Sequence, residues 1–177
     1  MKKCILLIAL VVSGITYAQN YEVKDGAIVM TKIINTELSI EEVHDAAETF
    51  FANTYEDSNR TQRVNTSTHL IYSGLFMNVA KYLGGMWVID YEHNVDISIK
   101  DGRVRIVVSC DKAINRATQS LTRTEYAIGY CHPNGNGKSY APKSASEDAM
   151  SNGVRRMSQL IDAFENALKN KTTEEDW

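Results

Sequence analysis

The chain has 177 residues, of which 44% are hydrophobic and 23% charged, and its formal net charge at pH 7 is -3. That length suits one domain with a buried core, and the composition is that of an ordinary globular protein. Intrinsic disorder of the whole chain and collagen-like repeats are therefore excluded. The acidic balance also argues against a nucleic-acid-binding protein, because contacts with phosphate need a basic surface.

The first 18 residues have the features of a secretory signal peptide. Lys2 and Lys3 give a positively charged start, residues 5–12 form an apolar segment, and small residues occupy the positions that a signal peptidase recognises. The apolar segment is too short for a membrane-spanning helix, which needs about 20 residues. We therefore predict cleavage between Ala18 and Gln19 and a mature protein that is periplasmic or secreted.

Residues 19–177 are predicted to form a single domain without a membrane span. They contain no internal repeat, no linker-like segment and no later apolar stretch of membrane-spanning length. We expect no lipid anchor either, because Cys4 precedes the apolar segment of the signal, whereas a lipidated cysteine would follow it.

The domain begins with a predicted strand and helix. A turn at residues 25–26 leads into the β-rich segment 27–34. Ser39 then begins a helix, since Glu42 stands three residues later and completes a capping box. Apolar residues continue at helical spacing to about Tyr55.

Three strands are predicted next. Residues 62–68 and 69–80 are rich in β-branched and aromatic side chains, and the glycines at 84–85 end the second strand. In residues 86–100 most odd positions are apolar and most even positions from Asp90 onward are polar, which predicts a strand with one buried and one solvated face.

The pair Asp101-Gly102 predicts a two-residue type I′ hairpin, and residues 103–110 form the returning strand. Such a loop places Lys100 opposite Arg103 and thereby fixes the register. Every pair on one face is then apolar: Ile99 with Val104, Ile97 with Ile106, and Val95 with Val108. The opposite, open face carries Asp90, Glu92, Asp96, Arg103 and Arg105.

Residues 111–145 are predicted to be a long irregular insertion with a short strand-like piece at 126–131. A second amphipathic helix follows over residues 146–169, and residues 170–177 form a polar tail. The order is β-α-β-β-β-β-α. We predict an α+β fold in which one antiparallel sheet packs two helices on one face.

The sequence resembles a family of secreted bacterial domains of unknown function with a TATA-binding-protein-like fold. The similar segments are residues 25–34, the helix 46–55, Gly74, and the hairpin 95–105 around Lys-Asp-Gly-Arg. The resemblance covers roughly residues 25–111 and the final helix. It implies the fold and the secreted location, and no activity, because the family has no assigned chemistry.

Two cysteines remain after removal of the signal, Cys110 and Cys131. In an oxidising compartment they can form a disulfide worth about 3 kcal/mol, and two separate buried thiols are the alternative. His93, opposite Cys110 in the predicted register, and His132 could join them in a metal site or a nucleophile–base pair. The sequence lacks the closely spaced ligands of a zinc site and any mark of an activated thiol. We predict no metal, cofactor or catalytic residue.

Residues 132–139, His-Pro-Asn-Gly-Asn-Gly-Lys-Ser, are similar to a phosphate-binding Walker A loop. The first glycine of that motif is replaced by His132, and Pro142 soon after the motif predicts extended chain where a helix should start. We therefore interpret the segment as a turn in a solvated loop.

The function predicted from these observations is a non-enzymatic binding module. It would act on a protein partner, through the long insertion or the polar sheet face, or on a small apolar ligand. The ligand would lie between sheet and helices, with Tyr72, Phe76, Trp87 and Tyr91 as walls, although aromatic residues at such positions are more often core. A thiol- or histidine-dependent hydrolase and a structural component of a cell-envelope assembly are the alternatives.

Overall fold

The computed structural model describes residues 21–55, 61–85, 87–116, 118, 120–129 and 141–174. The predicted signal peptide and its cleavage site lie outside these residues. So do Cys131 and the Walker-like segment at 132–139.

The described residues form one antiparallel sheet of seven strands in the order β1-β2-β6-β5-β4-β3. The seventh strand, β7, pairs with the last residues of β6, beyond the point where β2 ends. The strands are β1 Tyr21–Lys24, β2 Ala27–Asn35, β3 Gln62–Thr66, β4 His69–Tyr82, β5 Trp87–Lys100, β6 Arg103–Asn115 and β7 Ser120–Arg123.

Two long helices cover one face of this sheet. They are α1, Ile40–Thr54, and α3, Lys143–Glu174, while α2, Thr124–Ala127, is a single turn. The two long helices meet where Phe50 contacts Phe164, with 5.5 Å between ring centroids. The predicted α+β fold with two helices on one face is therefore confirmed, and β1, β7 and α2 are additions to it.

The capping box predicted at the start of α1 is confirmed. The Glu42 backbone N–H donates to the Ser39 hydroxyl at 3.3 Å, and the Ser39 backbone N–H donates to the Glu42 carboxylate at 2.6 Å. These two bonds satisfy backbone donors that the first turn of a helix leaves free, and so fix where α1 begins.

The predicted register of the β5–β6 hairpin is also confirmed, from Lys100 opposite Arg103 to His93 opposite Cys110. The predicted type I′ turn is wrong. Only Gly102 has a positive φ, 71°, whereas a type I′ turn needs one at Asp101 as well. The Gly102 carbonyl accepts a hydrogen bond from the Thr36 N–H at 3.1 Å, so this turn is also held by the end of β2.

The prediction of irregular structure over residues 111–145 is wrong at several places. β6 continues to Asn115, β7 and α2 follow it, and α3 begins at Lys143. The extension has a physical reason: β5 is 14 residues long, and its first half would have unpaired backbone groups without a longer β6. Asp111 has no opposite residue, because Glu92 pairs with Lys112 and His93 with Cys110.

Two smaller boundaries also differ. The strand-like piece predicted at 126–131 is wrong at Tyr126 and Ala127, which belong to a helical turn closed by the Ile128 N–H donating to the Thr124 carbonyl at 3.1 Å. The polar tail predicted at 170–177 is helical as far as Glu174. Among the helices that the structure describes, none combines the length and the apolarity needed to cross a membrane.

Candidate functional site: the outer face of the sheet

Three of the four predicted pocket residues lie on the inner face of the sheet, beneath the helices. Tyr72, Phe76 and Tyr91 are buried, with exposed fractions of 2%, 9% and 0%. Tyr72 stacks on Phe51 of α1 at 4.3 Å between ring centroids. Trp87 begins β5, and its side chain lies outside what the structure describes.

The space beside these rings is filled by neighbouring side chains. Phe76 stacks on His93 with 3.8 Å between ring centroids. Tyr91 packs so closely on Gly153 of α3 that a Cβ atom there would lie 2.7 Å from the ring. These contacts favour core packing over ligand binding for Tyr72, Phe76 and Tyr91, whose role as pocket walls stays a prediction.

A buried polar contact lies within the same core. His93 is 1% exposed, and its Nε2 shares a hydrogen bond of 2.8 Å with the Tyr55 hydroxyl. Burial lowers the pKa of His93 to about 4, so the ring is neutral at pH 7. Gly74, opposite His93, leaves room for both rings, since a Cβ atom there would lie 2.5 Å from Tyr55 and 2.7 Å from His93.

Cys110 is fully buried opposite His93 and forms no disulfide with a residue that the structure describes. Burial, reinforced by the neighbouring Asp111 carboxylate, raises the pKa of Cys110, which is the opposite of what a thiolate nucleophile needs. Cys131 and His132 lie outside the described residues, so the disulfide between Cys110 and Cys131 stays a prediction.

One residue expected on the solvated face is buried. Asp90 is 3% exposed and accepts two-pronged hydrogen bonds from the Arg116 guanidinium at 2.7–3.0 Å. It also accepts one from the Asn78 N–H at 2.6 Å. The cause is a bulge in β4, where Asn78 has a φ of 57° and turns its backbone toward Asp90. No pattern in the sequence indicates this bulge.

A cluster that sequence reasoning missed lies on the surface of α1. His44, Asp45 and Glu48 each present one possible metal-ligand atom within 4.8 Å of the others. The ring of His44 also contacts Asn65 of β3 through Nε2 at 2.8 Å. The i, i+1, i+4 spacing of these residues on a predicted helix was the available signal.

The outer face of the sheet, opposite the helices, is not covered by any element that the structure describes. Three aliphatic side chains from different strands stand out on it: Ile33 of β2 is 61% exposed, Leu75 of β4 43% and Leu121 of β7 59%. The strand register places them on this face, because Ile33 pairs with Arg105, Leu75 with Glu92, and Leu121 with Ile114, which lies opposite Asp90. The sequence showed only the polar residues of β5 and β6 on this face.

At the β5–β6 hairpin end of the outer face there is a cavity of about 240 Å³, which we call the basic groove. It is lined by Ile33, Ser98, Lys100, Arg103 and Arg105. The register brings these residues together, since Arg105 pairs with both Ile33 and Ser98, and Arg103 with Lys100. A groove with three cations and an aliphatic wall suits an anionic partner that also has apolar groups.

The opposite end of the outer face has compensated charges. Lys112 pairs with Glu92 at 3.4 Å, and Arg116 pairs with Asp90 at 2.7 Å. In the basic groove Arg105 Nη2 donates to the Ser98 hydroxyl at 3.1 Å, and this hydroxyl donates to the Asp96 carboxylate at 3.4 Å. Its three cations have no ion pair within the described part of the chain.

Two crystal structures resemble this fold. A DUF4468 family protein from Bacteroides ovatus is 11% identical, over 84% of this chain and 90% of that chain, with a TM-score of 0.60. A TBP-like protein from Parabacteroides distasonis is 16% identical, over 81% of this chain and 96% of that chain, with a TM-score of 0.57. No protein-family model matches the chain, and no curated protein does. At these identities the likeness shows the fold alone, and that fold is the TATA-binding-protein-like α+β arrangement expected from the sequence.

Proposed function

We propose that this protein is an exported, non-enzymatic binding module that holds a protein partner against the outer face of its sheet. The observation that carries the proposal is the set of exposed aliphatic side chains on that face, Ile33, Leu75 and Leu121. Exposed apolar patches often mark interaction surfaces, and these three large side chains lie on a sheet face that no described residue covers. The export signal predicted in the first 18 residues supports the location.

The inner face offers less to a ligand. Tyr72, Phe76 and Tyr91 are in contact with Phe51, His93 and helix α3, so a small apolar molecule would have to displace packed rings. A protein partner on the outer face needs no such rearrangement. This difference favours the protein partner over the small apolar ligand.

The chain's charge argues against nucleic acid as the partner. The net charge is -3, and Glu92 and Asp96 share the outer face with the cations of the basic groove. A duplex lying across the whole face would meet carboxylates in its middle, which repel phosphate. A hydrolase is also less favoured, because Cys110 and His93 are both buried and uncharged at neutral pH.

Site-specific photocrosslinking in cells that make the protein tests the proposal. A photoreactive amino acid is placed at Leu75 or Leu121 on the outer face and, as matched controls, at Gln159 or Ala163 on the solvent side of α3. All four positions are exposed. We expect one discrete adduct from the two outer-face positions and none from the two α3 positions.

The alternatives are separated by the mass of the adduct. A discrete adduct of twice the chain's mass would identify a second copy of the protein as the partner and would favour the structural-assembly role. Equal labelling from both faces, or no adduct from Leu75 and Leu121, would contradict the proposal.

A further inference from the structure

In the basic groove, positively charged side chains face each other across the two strands of the hairpin. Arg103 lies directly opposite Lys100, and Arg105 follows two residues later on the same face. Like charges directly opposite each other on neighbouring strands destabilise a sheet. The arrangement therefore works against the stability of the hairpin, as is common at functional sites.

Neither of the two nearby carboxylates forms an ion pair with Arg103 or Lys100 in the part of the chain that the structure describes. Asp96, on the same face of β5, is hydrogen-bonded to His69 at 3.2 Å and accepts a hydrogen bond from the Ser98 hydroxyl at 3.4 Å. Asp101 is exposed in the turn and forms no ion pair with residues that the structure describes. The groove is thus a local positive site on a chain whose net charge is -3.

The spacing of the two arginines favours one kind of anion. Arg103 and Arg105 are alternate residues of β6, so their side chains leave the same face about 6.7 Å apart. An extended peptide repeats its side chains on one face at the same interval. Arginine also binds carboxylates through a planar pair of N–H donors, which lysine cannot do.

We propose that the basic groove docks an extended acidic segment of the protein partner, with carboxylates at positions i and i+2 paired to Arg103 and Arg105. Lys100 adds a third cation at one end, and Ile33 with the methylene groups of the arginines contacts the apolar parts of the segment. This inference rests on the proposed function and specifies the chemistry of the partner.

A short synthetic peptide tests the inference on the whole mature protein. The probe is acetyl-Gly-Glu-Val-Glu-Gly-amide, and backbone amide shifts in NMR spectra report where and how strongly it binds. A peptide of the same composition with adjacent glutamates, Glu-Glu-Val, cannot present both carboxylates to one side when extended. We expect shifts confined to the groove and its neighbours, weaker binding at high salt, and at least about threefold weaker binding of the Glu-Glu-Val peptide.

Substitutions separate the groove from general charge attraction. R103Q and R105Q should each weaken binding about fivefold, whereas R63Q should not change it. Arg63 is a matched control, because it also lies on the outer face and its Nε donates to a serine hydroxyl, that of Ser73, at 3.4 Å. The melting temperature of R103Q should be equal to or above that of the wild type, since the repulsion with Lys100 is removed.

Three results would overturn the inference: equal loss of binding in R63Q, shifts located away from the groove, or tighter binding of inorganic phosphate, a DNA duplex or vesicles of anionic lipid than of the peptide. If the peptide does not bind while Leu75 and Leu121 still give a discrete crosslink, the proposal of an acidic segment is wrong and the outer-face proposal stands. If the crosslinks fail as well, both are wrong.

Discussion

The two faces of the sheet consist of the same strands, but they differ in side-chain burial and in the pairing of their charges. On the inner face, side chains such as Val95, Ile97 and Val108 are completely buried beneath the helices. On the outer face, Ile33 and Leu75 are largely exposed, and Arg103 beside Lys100 has no ion pair with a residue that the structure describes. Stability accounts for the first arrangement. It does not account for the second, which is the basis of the binding surface that we propose.

The two ends of the outer face also differ from each other in how their charges are paired. At the β7 end, Asp90 and Glu92 neutralise Arg116 and Lys112, and Asp90 holds the bulge of β4. At the hairpin end the three cations have no ion pair among the described residues. The outer face therefore has one end that stabilises the fold and one end whose charges do not contribute in this way, and this second end is the binding site that we propose.

The largest expected effect belongs to a change on the inner face. Gly74→Val places methyl groups where a single Cβ atom would already lie 2.5 Å from Tyr55 and 2.7 Å from His93. Overpacking of this kind should lower the free energy of unfolding by about 3 kcal/mol in urea titrations. Ser109→Val introduces the same side chain on the outer face and should change the free energy by less than about 0.5 kcal/mol. Equal losses of unfolding free energy in the two variants would contradict the distinction between a tightly packed inner face and an open outer face.

A second change tests the stabilising end of the outer face. Asp90→Ala removes the acceptor for the Arg116 guanidinium and for the Asn78 N–H. Because Arg116 can still reach water, we expect a loss of about 2 kcal/mol in the free energy of unfolding. Asp96→Ala, at a half-exposed carboxylate near the hairpin end, should cost less than about 1 kcal/mol. A larger loss in Asp96→Ala than in Asp90→Ala would mean that the stabilising charges lie at the hairpin end, which would contradict the account.

The third prediction concerns pH. The folded-state pKa of His93 is lowered to about 4 from an ordinary value near 6.5, so between these values the unfolded chain binds a proton that the folded chain does not. Stability therefore falls with decreasing pH in that window, by about 2 kcal/mol between pH 7.5 and 5. We expect His93→Gln to remove this dependence, whatever its effect at pH 7.5.

His69→Gln is the matched control for that experiment, because His69 is on the outer face and its side chain is 41% exposed. Its free energy of unfolding should keep the wild-type slope between pH 7.5 and 5. An unchanged slope in His93→Gln, measured in the same urea series, would show that His93 is not the buried titrating group.

The smallest effect is expected for the exposed aliphatic residues. Leu75→Ser and Leu121→Ser should each change the free energy of unfolding by less than about 0.5 kcal/mol, since neither side chain is covered by the rest of the described chain. A loss above about 1.5 kcal/mol for either variant would mean that another part of the protein covers the face.

The sequence predicted the parts of the fold that depend on neighbours along the chain. The Ser39 capping box needs four residues, and the β5–β6 register follows from a two-residue turn and the alternation beside it. The extension of β6, the pairing of β7 and the burial of Asp90 depend on a bulge in each of two strands, and single-sequence patterns do not show bulges.

The candidate site was visible only in part. Arg103 and Arg105 could be placed on the open face from the hairpin alone. Ile33 could not be placed beside them, because that contact depends on which strand pairs with β6 on the side away from β5. The absence of an ion pair at these arginines likewise depends on contacts across the whole sheet.

The most direct test of the outer face as a binding surface is native mass spectrometry of the protein purified from cells that make it. The account predicts a protein complex for the wild type and for the α3 control Q159S, and its loss in the double variant L75S/L121S with the fold intact. A complex that survives in L75S/L121S, or that is lost only in Q159S, would contradict the account.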